Sequence, residues 1–468
     1  MSDSLAVDTT ALPTTLERVL ARLALTKNRN FGITVAAPII PPAQVFLALP
    51  NEAAMLWATA PGVCEVALGA AMSCSGSGHG RAQTIIERAD LAFRDFQGVG
   101  LGAAAIEPRF FGGLSYASAR KNESSWSSFL DSEFALPRLL YRASANRAAV
   151  TLFASKHEIR DPALRAQFVE AVQTMTQLVP QDRSRMSRES LLIEQRIDTP
   201  DRTQWGRHVL DACRLFEEGQ LEKAVLAREI LLICNRQPDI QSILEQLLGR
   251  AEGSVCFALR RASAIFLGAT PERLVSRRGP QISTEALAGS AANSGELPEQ
   301  LLSDTKNQLE HSLVVREIVA RLQRLGADVS VPSAPQLRRF AGLSHLYTSL
   351  QARKLASPHV LTLADHLHPT PAVGGIPLER ALEFIFAHEA FDRGRYAGPV
   401  GWFDGNGDGE FAVALRSGLL SGREVRLYAG AGLVQGSEPD AEWRETDLKF
   451  RSLLDALGLT RVPDLSRH

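Results

Sequence analysis

The chain has 468 residues, enough for one large core or for two to three ordinary domains. Its hydrophobic content of 45% and charged content of 22% are typical of a soluble globular protein. With 51 basic and 52 acidic residues the net charge is −1, which argues against nucleic-acid binding and against electrostatic attachment to a membrane surface.

Several features indicate where the protein works. The opening Met1-Ser-Asp-Ser lacks the basic and apolar segments of a secretory signal. The most apolar early stretch, 31–50, is interrupted by three prolines and is not expected to span a membrane. Five cysteines without paired spacing favour reduced thiols. We therefore expect a cytoplasmic protein that binds neither membranes nor nucleic acid.

In the first 200 residues, short apolar runs alternate with turns and helices. The sequence predicts strands at 110–116 and 144–159, a helix at 161–178, and core side chains at Trp126, Phe129, Phe134 and Leu136. The arginine-rich stretch 181–202 is the only plausible linker. It is short and contains two adjacent leucines, so a true domain boundary there is doubtful.

From residue 203 onward, helices and hairpin strands alternate. Helices are predicted at 203–218, 240–251, 301–325, 378–389 and 441–457, and strands at 224–233, 254–258, 264–268, 399–403, 410–417 and 424–429. Hairpins interspersed with helices favour an α+β fold with antiparallel sheets over a doubly wound parallel fold.

Three motifs suggest ligands but are better explained as structure. The stretch 75–80 is glycine-rich but matches neither a dinucleotide-binding nor a Walker pattern, which favours a surface turn. The stretch 404–409 opens like a calcium loop, but its twelfth position is Leu415 where a carboxylate is required. His366 and His368 would share one face of a strand, yet no third ligand is visible nearby.

Two predicted helices carry acidic and basic residues at helical spacing. Glu442, Glu445 and Lys449 line one face of the last helix, because they are three and four residues apart. Lys306 and Glu310 repeat the four-residue spacing in the opposite order. Two glutamates on separate helices, each with a lysine one turn away, suggest a divalent-cation site that holds an anionic ligand.

A lysine also stands in an apolar strand. By strand alternation Lys223 shares a face with Val225 and Ala227, whereas Arg228 points the other way. A lysine on an apolar face loses hydration and becomes usable as a base. A strand-edge lysine that reaches solvent explains the same pattern, and this segment alone does not decide between the two.

Other residues add weaker signals. Glu272 stands at a turn between two strands, where a solvated carboxylate would be ordinary. The loop 284–290 ends in a glycine and can present backbone N–H groups to an anion, and 428–434 is a glycine-rich strand end that a ligand can approach. Arg416 interrupts an apolar run, where a buried guanidinium needs an anionic partner.

Taken in order, these segments resemble the chorismate-utilising enzymes, and most closely the isochorismate synthases of the longer, menaquinone type. The matching segments span residues 205–460 almost without a break: KAVLARE, FLGATPERLV, TEALAGS, LLSDTKNQLEHSLVV, HLHPTPAVGGIP, YAGPVGWFDGNGDGEFAVALRS, LYAGAGLVQGS and EWRETDLK. The resemblance implies a single large α+β domain over 1–468, with stacked, mainly antiparallel sheets and helices outside. Residues 1–200 would form its less motif-rich half.

The resemblance also implies roles for individual residues. Lys223 matches the general base that activates water for attack on C2 of chorismate, and Glu272 the general acid that protonates the departing C4 hydroxyl, although Glu285 is an alternative acid. Glu310 and Glu445 match ligands of Mg²⁺, and Glu442 would bind the metal through water. The substrate-binding positions are Gly289, Ser290, Ala372, Tyr396, Arg416, Gly430 and Lys449.

Relatives with other chemistries differ at two positions. Many aminodeoxychorismate synthases carry a lysine where this chain has Ala288, which disfavours covalent lysine catalysis. A glutaminase subunit is not expected. Salicylate synthases, the main alternative, tend to carry a threonine at the position of Ala372. A non-catalytic chorismate-binding subunit would have lost the lysine, acid or metal ligands. We expect a magnesium-dependent isomerase, a monomer or homodimer, that serves menaquinone or siderophore biosynthesis.

Overall fold

The structure, a computed structural model, describes residues 11–60, 62–117, 125–181, 190–250, 253–292, 298–340, 343–353 and 358–459. Its strands are β1 Asn30–Ala37, β2 Ala54–Ala60, β3 Val63–Leu68, β4 Met72–Gly76, β5 Phe96–Leu101, β6 Arg109–Leu114, β7 Ser132–Leu136, β8 Leu139–Ser144, β9 Arg147–Ser155, β10 Ile193–Thr199, β11 Lys223–Cys234, β12 Val255–Arg261, β13 Ala264–Thr270, β14 Arg273–Arg278, β15 Gln281–Ala292, β16 Asp328–Ser330, β17 Gln336–Arg339, β18 Leu343–Arg353, β19 Gly375–Ile376, β20 Pro399–Asp404, β21 Gly409–Val413, β22 Ser417–Ser421 and β23 Glu424–Leu433.

The helices are α1 Leu12–Leu23, α2 Pro42–Leu47, α3 Arg81–Phe93, α4 Lys156–Arg160, α5 Pro162–Thr176, α6 Arg202–Glu217, α7 Ile240–Gly249, α8 Thr305–Arg324, α9 Val360–Leu367, α10 Leu378–His388 and α11 Pro439–Ala456, with a 3₁₀ turn at Pro298–Leu302. Within the described part of the chain, no helix is both long and apolar enough to cross a membrane.

The described strands form two sheets. One has 13 strands in the order β10-β11-β23-β22-β13-β12-β2-β3-β8-β9-β1-β5, with β19 beside β11. The other has 10 strands in the order β16-β18-β15-β14-β21-β20-β6-β7-β4, with β17 beside β18. The pairing is antiparallel apart from β1 with β5. The fold is therefore α+β with mainly antiparallel sheets, as predicted.

The main core lies between the two sheets, where aromatic side chains from both are buried together. Phe257 and Phe266 come from the larger sheet and Phe134 and Phe411 from the smaller one. A second apolar layer joins the outer face of the larger sheet to helices that include α1, α2, α5, α7 and α11. Because each sheet is apolar on the face it buries, stacking removes both faces from water.

Both halves of the chain contribute strands to both sheets. In the larger sheet, β2 from the N-terminal half pairs with β12 from the C-terminal half. In the smaller sheet, β6 pairs with β20. We therefore propose that residues 1–468 form one domain. The stretch 181–202 includes an edge strand, β10, while 182–189 lie outside the described residues.

The structure corrects the predicted strand at 144–159. Strand β9 ends at Ser155, and residues 156–160 form the short helix α4. The Ser155 hydroxyl accepts the Glu158 N–H, and the Glu158 carboxylate accepts the Ser155 N–H, so the two residues form a capping box. This reciprocal cap starts a helix where the apolar pattern alone suggested continued strand.

A second correction concerns the predicted strand 410–417. Strand β21 ends at Val413 in the smaller sheet, and β22 begins at Ser417 in the larger one. Between them the chain crosses from sheet to sheet, and Arg416 takes a left-handed conformation with φ of 49°. Arg416 therefore lies at the crossing and not within a strand, and it lines the cleft described below.

Candidate active site

A cleft opens where the two sheets meet helices α8 and α11. Its wall includes nine of the predicted site residues: Glu272, Gly289, Glu310, Ala372, Tyr396, Arg416, Gly430, Glu445 and Lys449. These positions are dispersed over the sequence from 272 to 449, and the fold brings them to one place.

Lys223 begins β11 and lies directly behind the cleft wall. Its side chain is fully buried, and Nζ donates a hydrogen bond of 2.9 Å to Oε1 of Glu310. On the neighbouring strand, a Cβ atom added at Gly432 would lie 2.3 Å from that same Glu310 oxygen and 3.2 Å from Cε of Lys223. A glycine is thus required for the carboxylate and the lysine to meet here.

Glu272 occupies the turn between β13 and β14, yet only 3% of it is exposed. The turn is fixed because Val413 donates its N–H to the Glu272 carbonyl, and Thr270 donates its hydroxyl to the Val413 carbonyl. Burial, which outweighs the nearby lysines, raises the pKa of the Glu272 carboxyl to about 8. This carboxyl is therefore protonated at neutral pH and can donate a proton.

Glu285, the alternative acid, has a different environment. It lies within β15, and its carboxylate accepts a hydrogen bond of 2.7 Å from Arg338. Burial raises the pKa of Glu285 as well, although Arg338 opposes the shift. Glu285 does not line the cleft, whereas Glu272 does. The geometry thus favours Glu272 as the proton donor.

Three carboxylates from α8 and α11 cluster in or next to the cleft, and each accepts a hydrogen bond from a lysine. Lys223 binds Glu310, Lys449 binds Glu445 at 2.6 Å, and Lys306 binds Glu442 at 2.8 Å. Burial pushes the pKa of Glu310 upward, but the surrounding lysines outweigh it and hold that pKa below its ordinary value. Glu310 therefore stays ionised.

Glu442 lies deeper than its two neighbours and does not line the cleft. Only 1% of the residue is exposed, and burial together with repulsion from Glu445 raises its pKa. Among the described residues, no three His, Cys, Asp or Glu side chains already stand in a metal-binding arrangement. To bind a metal ion, these carboxylate oxygens would have to give up the hydrogen bonds that they accept from the lysines.

Arg416 places a positive charge at the cleft without a carboxylate partner among the residues that the structure describes. Burial lowers the pKa of its guanidinium to about 10, so it stays charged at neutral pH. Its Nη2 lies 3.3 Å from Nε2 of His345, whose own pKa burial holds well below the ordinary value. A neutral imidazole does not cancel the arginine charge, so Arg416 is available to an anion.

One side of the cleft is aromatic. The rings of Tyr396 and Tyr428 stack with centroids 5.2 Å apart and an angle of 20° between their planes. Gly289, with a φ of +78°, brings its backbone to the cleft opposite Asn307. The predicted site residue Ser290 follows in β15, but its side chain lies outside what the structure describes. Aromatic and positively charged walls of this kind favour a ligand with a flat ring and anionic groups.

Two of the cleft residues that the sequence predictions did not name as site residues are His345 and Tyr428. His345 is a single histidine in the apolar strand β18, and Tyr428 was noted only as part of a strand end. Each is buried in the fold, where the ordinary expectation is a structural role. Only the pairing of β18 with β15, and of β23 with β11, brings them to the cleft.

The three motifs explained as structure show no ligand arrangement. Asp404 accepts N–H groups from Asn406 and Asp408 of its own turn. The pair His366 and His368 does not lie on a strand, as the spacing suggested, but at the end of α9, and His368 bonds the backbone carbonyl of Tyr116 through Nε2. The stretch 75–80 forms the turn from β4 to α3.

The family model described as chorismate binding enzyme matches residues 17–458 of this chain. The chain belongs to the chorismate binding enzyme family. Among its curated relatives, the isochorismate synthase MenF of Bacillus subtilis is 34% identical over 375 residues, covering 78% of either chain. The salicylate biosynthesis isochorismate synthase of Pseudomonas aeruginosa is 35% identical and covers 97% of this chain and 96% of its own.

Solved structures of the family share the fold. MenF, the menaquinone-specific isochorismate synthase of Escherichia coli, aligns with a TM-score of 0.76 at 28% identity, over 95% of this chain and 99% of its own. Component I of the anthranilate synthase of Streptococcus pneumoniae aligns with a TM-score of 0.69 at 18% identity, over 84% and 92%. The second likeness shows the fold alone.

Proposed function

We propose that this protein is an isochorismate synthase, an isomerase that moves the hydroxyl function of chorismate from C4 to C2. The observation that supports it best is a buried Glu272, protonated at neutral pH, in a cleft that also holds Arg416, which forms no ion pair with a carboxylate among the described residues. Its relatives of comparable length in Bacillus subtilis and Pseudomonas aeruginosa are named isochorismate synthases.

The reaction needs a base and an acid because water is a poor nucleophile and hydroxide a poor leaving group. In the amine form, Lys223 takes a proton from a water molecule whose oxygen bonds to C2. The two ring double bonds each shift by one position, and the C4–O bond breaks. Glu272 gives its proton to the departing oxygen, which leaves as water. Each of the two groups contributes roughly 10²–10⁴-fold to the rate.

Chorismate carries two carboxylates, so the cleft must supply positive charge. Arg416 and Lys449 line it, and we propose that both bind substrate carboxylates. Gly289 and Gly430 would present backbone groups to the same anions, and the ring would lie against Tyr396. Ser290 and Ala372 complete the proposed substrate contacts.

The carboxylates of Glu310 and Glu445 suit Mg²⁺, which prefers oxygen ligands and retains several waters. Gly432 supports this proposal, because its bare backbone leaves room for the Glu310 carboxylate. We propose that Glu310 and Glu445 hold the metal directly and that Glu442 acts through water. When bound, Mg²⁺ supplies positive charge that anchors a substrate carboxylate.

Incubation of the purified chain with chorismate and Mg²⁺, followed by chromatography, tests the proposal. Isochorismate without salicylate or pyruvate is expected, because the relatives that eliminate pyruvate tend to carry a threonine at the position of Ala372. No product with ammonia is expected either, since Ala288 stands where many aminodeoxychorismate synthases have a lysine. An anthranilate-type product would contradict the proposal, and chelation of the metal should abolish turnover.

A further inference from the structure

The N-terminal turns of α8 and α11 are joined by one ion pair. Nζ of Lys306, in the first turn of α8, lies 2.8 Å from Oε1 of Glu442, in the first turn of α11. The Lys306 side chain is 39% exposed, whereas that of Glu442 is 2% exposed. Lys306 can therefore turn its side chain to solvent, whereas Glu442 cannot.

The position of Lys306 is electrostatically unfavourable for its own helix. A cation in the first turn of a helix faces the positive end of the helix dipole. The ion pair with Glu442, at 2.8 Å, is the contact that offsets this repulsion. The lysine is therefore held in place by this carboxylate and not by its helix.

The charges of the carboxylate cluster balance without a metal. Three lysines face three glutamates, and the side chains of Lys223 and Lys449 are only 0% and 16% exposed. A divalent cation at Glu310 and Glu445 would add two positive charges beside these lysines. Of the three ammonium groups, Lys306 has the most exposed side chain, so it can leave at the least cost in buried charge.

We propose that Lys306 is a stand-in cation that holds Glu442 while the metal is absent, withdraws when Mg²⁺ binds, and so weakens metal binding. Lys306 does not line the cleft, so it acts on the metal through Glu442 and not on the substrate. This inference rests on the proposed function because it takes the metal ligands from it. It assigns Lys306 as a positioning residue.

Isothermal titration of Mg²⁺ into the full-length protein, without chorismate, measures this effect directly. Lys306→Met removes the competing charge and keeps the length of the side chain. We expect it to tighten Mg²⁺ binding roughly tenfold, as the loss of one charged hydrogen bond allows. A merely structural lysine predicts the opposite, since losing it would loosen the two helices that carry the ligands.

A double-mutant cycle locates the effect. In a Glu442→Gln background, Lys306→Met should no longer tighten Mg²⁺ binding, because the neutral amide does not hold the ammonium group. Arg324→Met is the matched control, since Arg324 is exposed and stands about 27 Å further along the same helix. It should leave the metal affinity unchanged. Lys306→Gln provides a second neutral variant if the methionine variant does not fold.

Unchanged or weaker Mg²⁺ binding by both neutral variants overturns the inference. So does a tightening that persists in the Glu442→Gln background. If the wild-type chain binds no Mg²⁺, the metal ligands and this inference fail together. Chromatography of the chorismate reaction decides the proposed function separately, since isochorismate formation combined with an unchanged affinity of Lys306→Met contradicts only the role of Lys306.

Discussion

The Lys223 ammonium group and the Glu310 carboxylate hold each other at 2.9 Å, although the residues are 87 positions apart in the chain. One is the proposed base and the other a proposed metal ligand. Because each satisfies the other, the cluster is neutralised before any ligand arrives. Binding of a cation at Glu310 would release Lys223 from its carboxylate partner, which couples metal binding to the availability of the base.

Replacement of the proposed base is expected to stop the reaction without preventing chorismate from binding. Lys223→Ala should lower kcat by roughly 10²–10⁴-fold, the usual contribution of a general base. Chorismate should still bind, because Arg416 and Lys449 remain. Product formation and equilibrium binding of chorismate are measured on the same protein. A variant with full turnover would remove Lys223 from the mechanism.

The raised pKa of Glu272 predicts how activity depends on pH. The carboxyl donates a proton only while protonated, so kcat should fall as the pH rises through about 8. Glu272→Gln cannot donate a proton and should lose most turnover at every pH. Stopped assays from pH 6 to 10 measure this decrease in kcat. An activity that stays constant up to pH 10 would argue against Glu272 as the acid.

The same group affects the stability of the fold. Between its unfolded pKa of about 4.5 and its folded pKa of about 8, the native state holds a proton that the unfolded state has lost. The free energy of unfolding should therefore decrease as pH rises through this window and level off above it. Urea titrations at several pH values should show a smaller decrease in the free energy of unfolding for Glu272→Gln than for the wild type. An equal dependence on pH in the two proteins would contradict a raised pKa at Glu272.

Gly432 is required because it faces the Glu310 carboxylate. In Gly432→Ala the new methyl group would lie 2.3 Å from Oε1 of Glu310, so the carboxylate must move. We expect Mg²⁺ affinity to fall at least tenfold, because metal sites tolerate displacements of only a few tenths of an ångström. Gly249→Ala is the control, since no atom lies within 4 Å of an added Cβ there. Titration calorimetry compares the two.

Arg228 fixes the helix that carries two of the proposed metal-binding carboxylates. Its fully buried guanidinium lies 3.3 Å from the centre of the Trp443 ring, and its Nη2 donates 2.6 Å to Asp447, both residues of α11. Arg228→Lys loses the planar stacking and should lower the free energy of unfolding by about 2 kcal/mol. The control Arg202→Lys alters the exposed pair with Asp440 of α11 and should leave the free energy of unfolding nearly unchanged. Chemical denaturation measures both.

Where local pattern decides structure, the sequence was a reliable guide. Strand β11 was predicted at 224–233 and spans Lys223–Cys234. Val225 lines the cleft, Lys223 binds Glu310 behind the cleft wall, and Arg228 lies on the other face of the strand, as alternation requires. The last helix was predicted within two residues at its start and one at its end, because its polar face has helical spacing.

Which side chains from different helices and strands form ion pairs was not predictable in the same way. The spacing placed Lys306 and Glu310 one turn apart on α8, but the fold pairs Glu310 with Lys223 and Lys306 with Glu442. Likewise, a glutamate in a turn such as Glu272 is ordinarily solvated. Its burial depends on segments from distant parts of the chain that close over it, and no local pattern encodes that closure.

The interleaving of the two halves also constrains how the chain folds. In the larger sheet, β2 pairs with β12, and β11 pairs with β23, so neither partner strand is available until far more of the chain has been synthesised. Such distant pairings make folding slow and leave apolar strand edges exposed on the ribosome. The strands of the N-terminal half therefore cannot complete their pairing in the larger sheet until those of the C-terminal half have emerged.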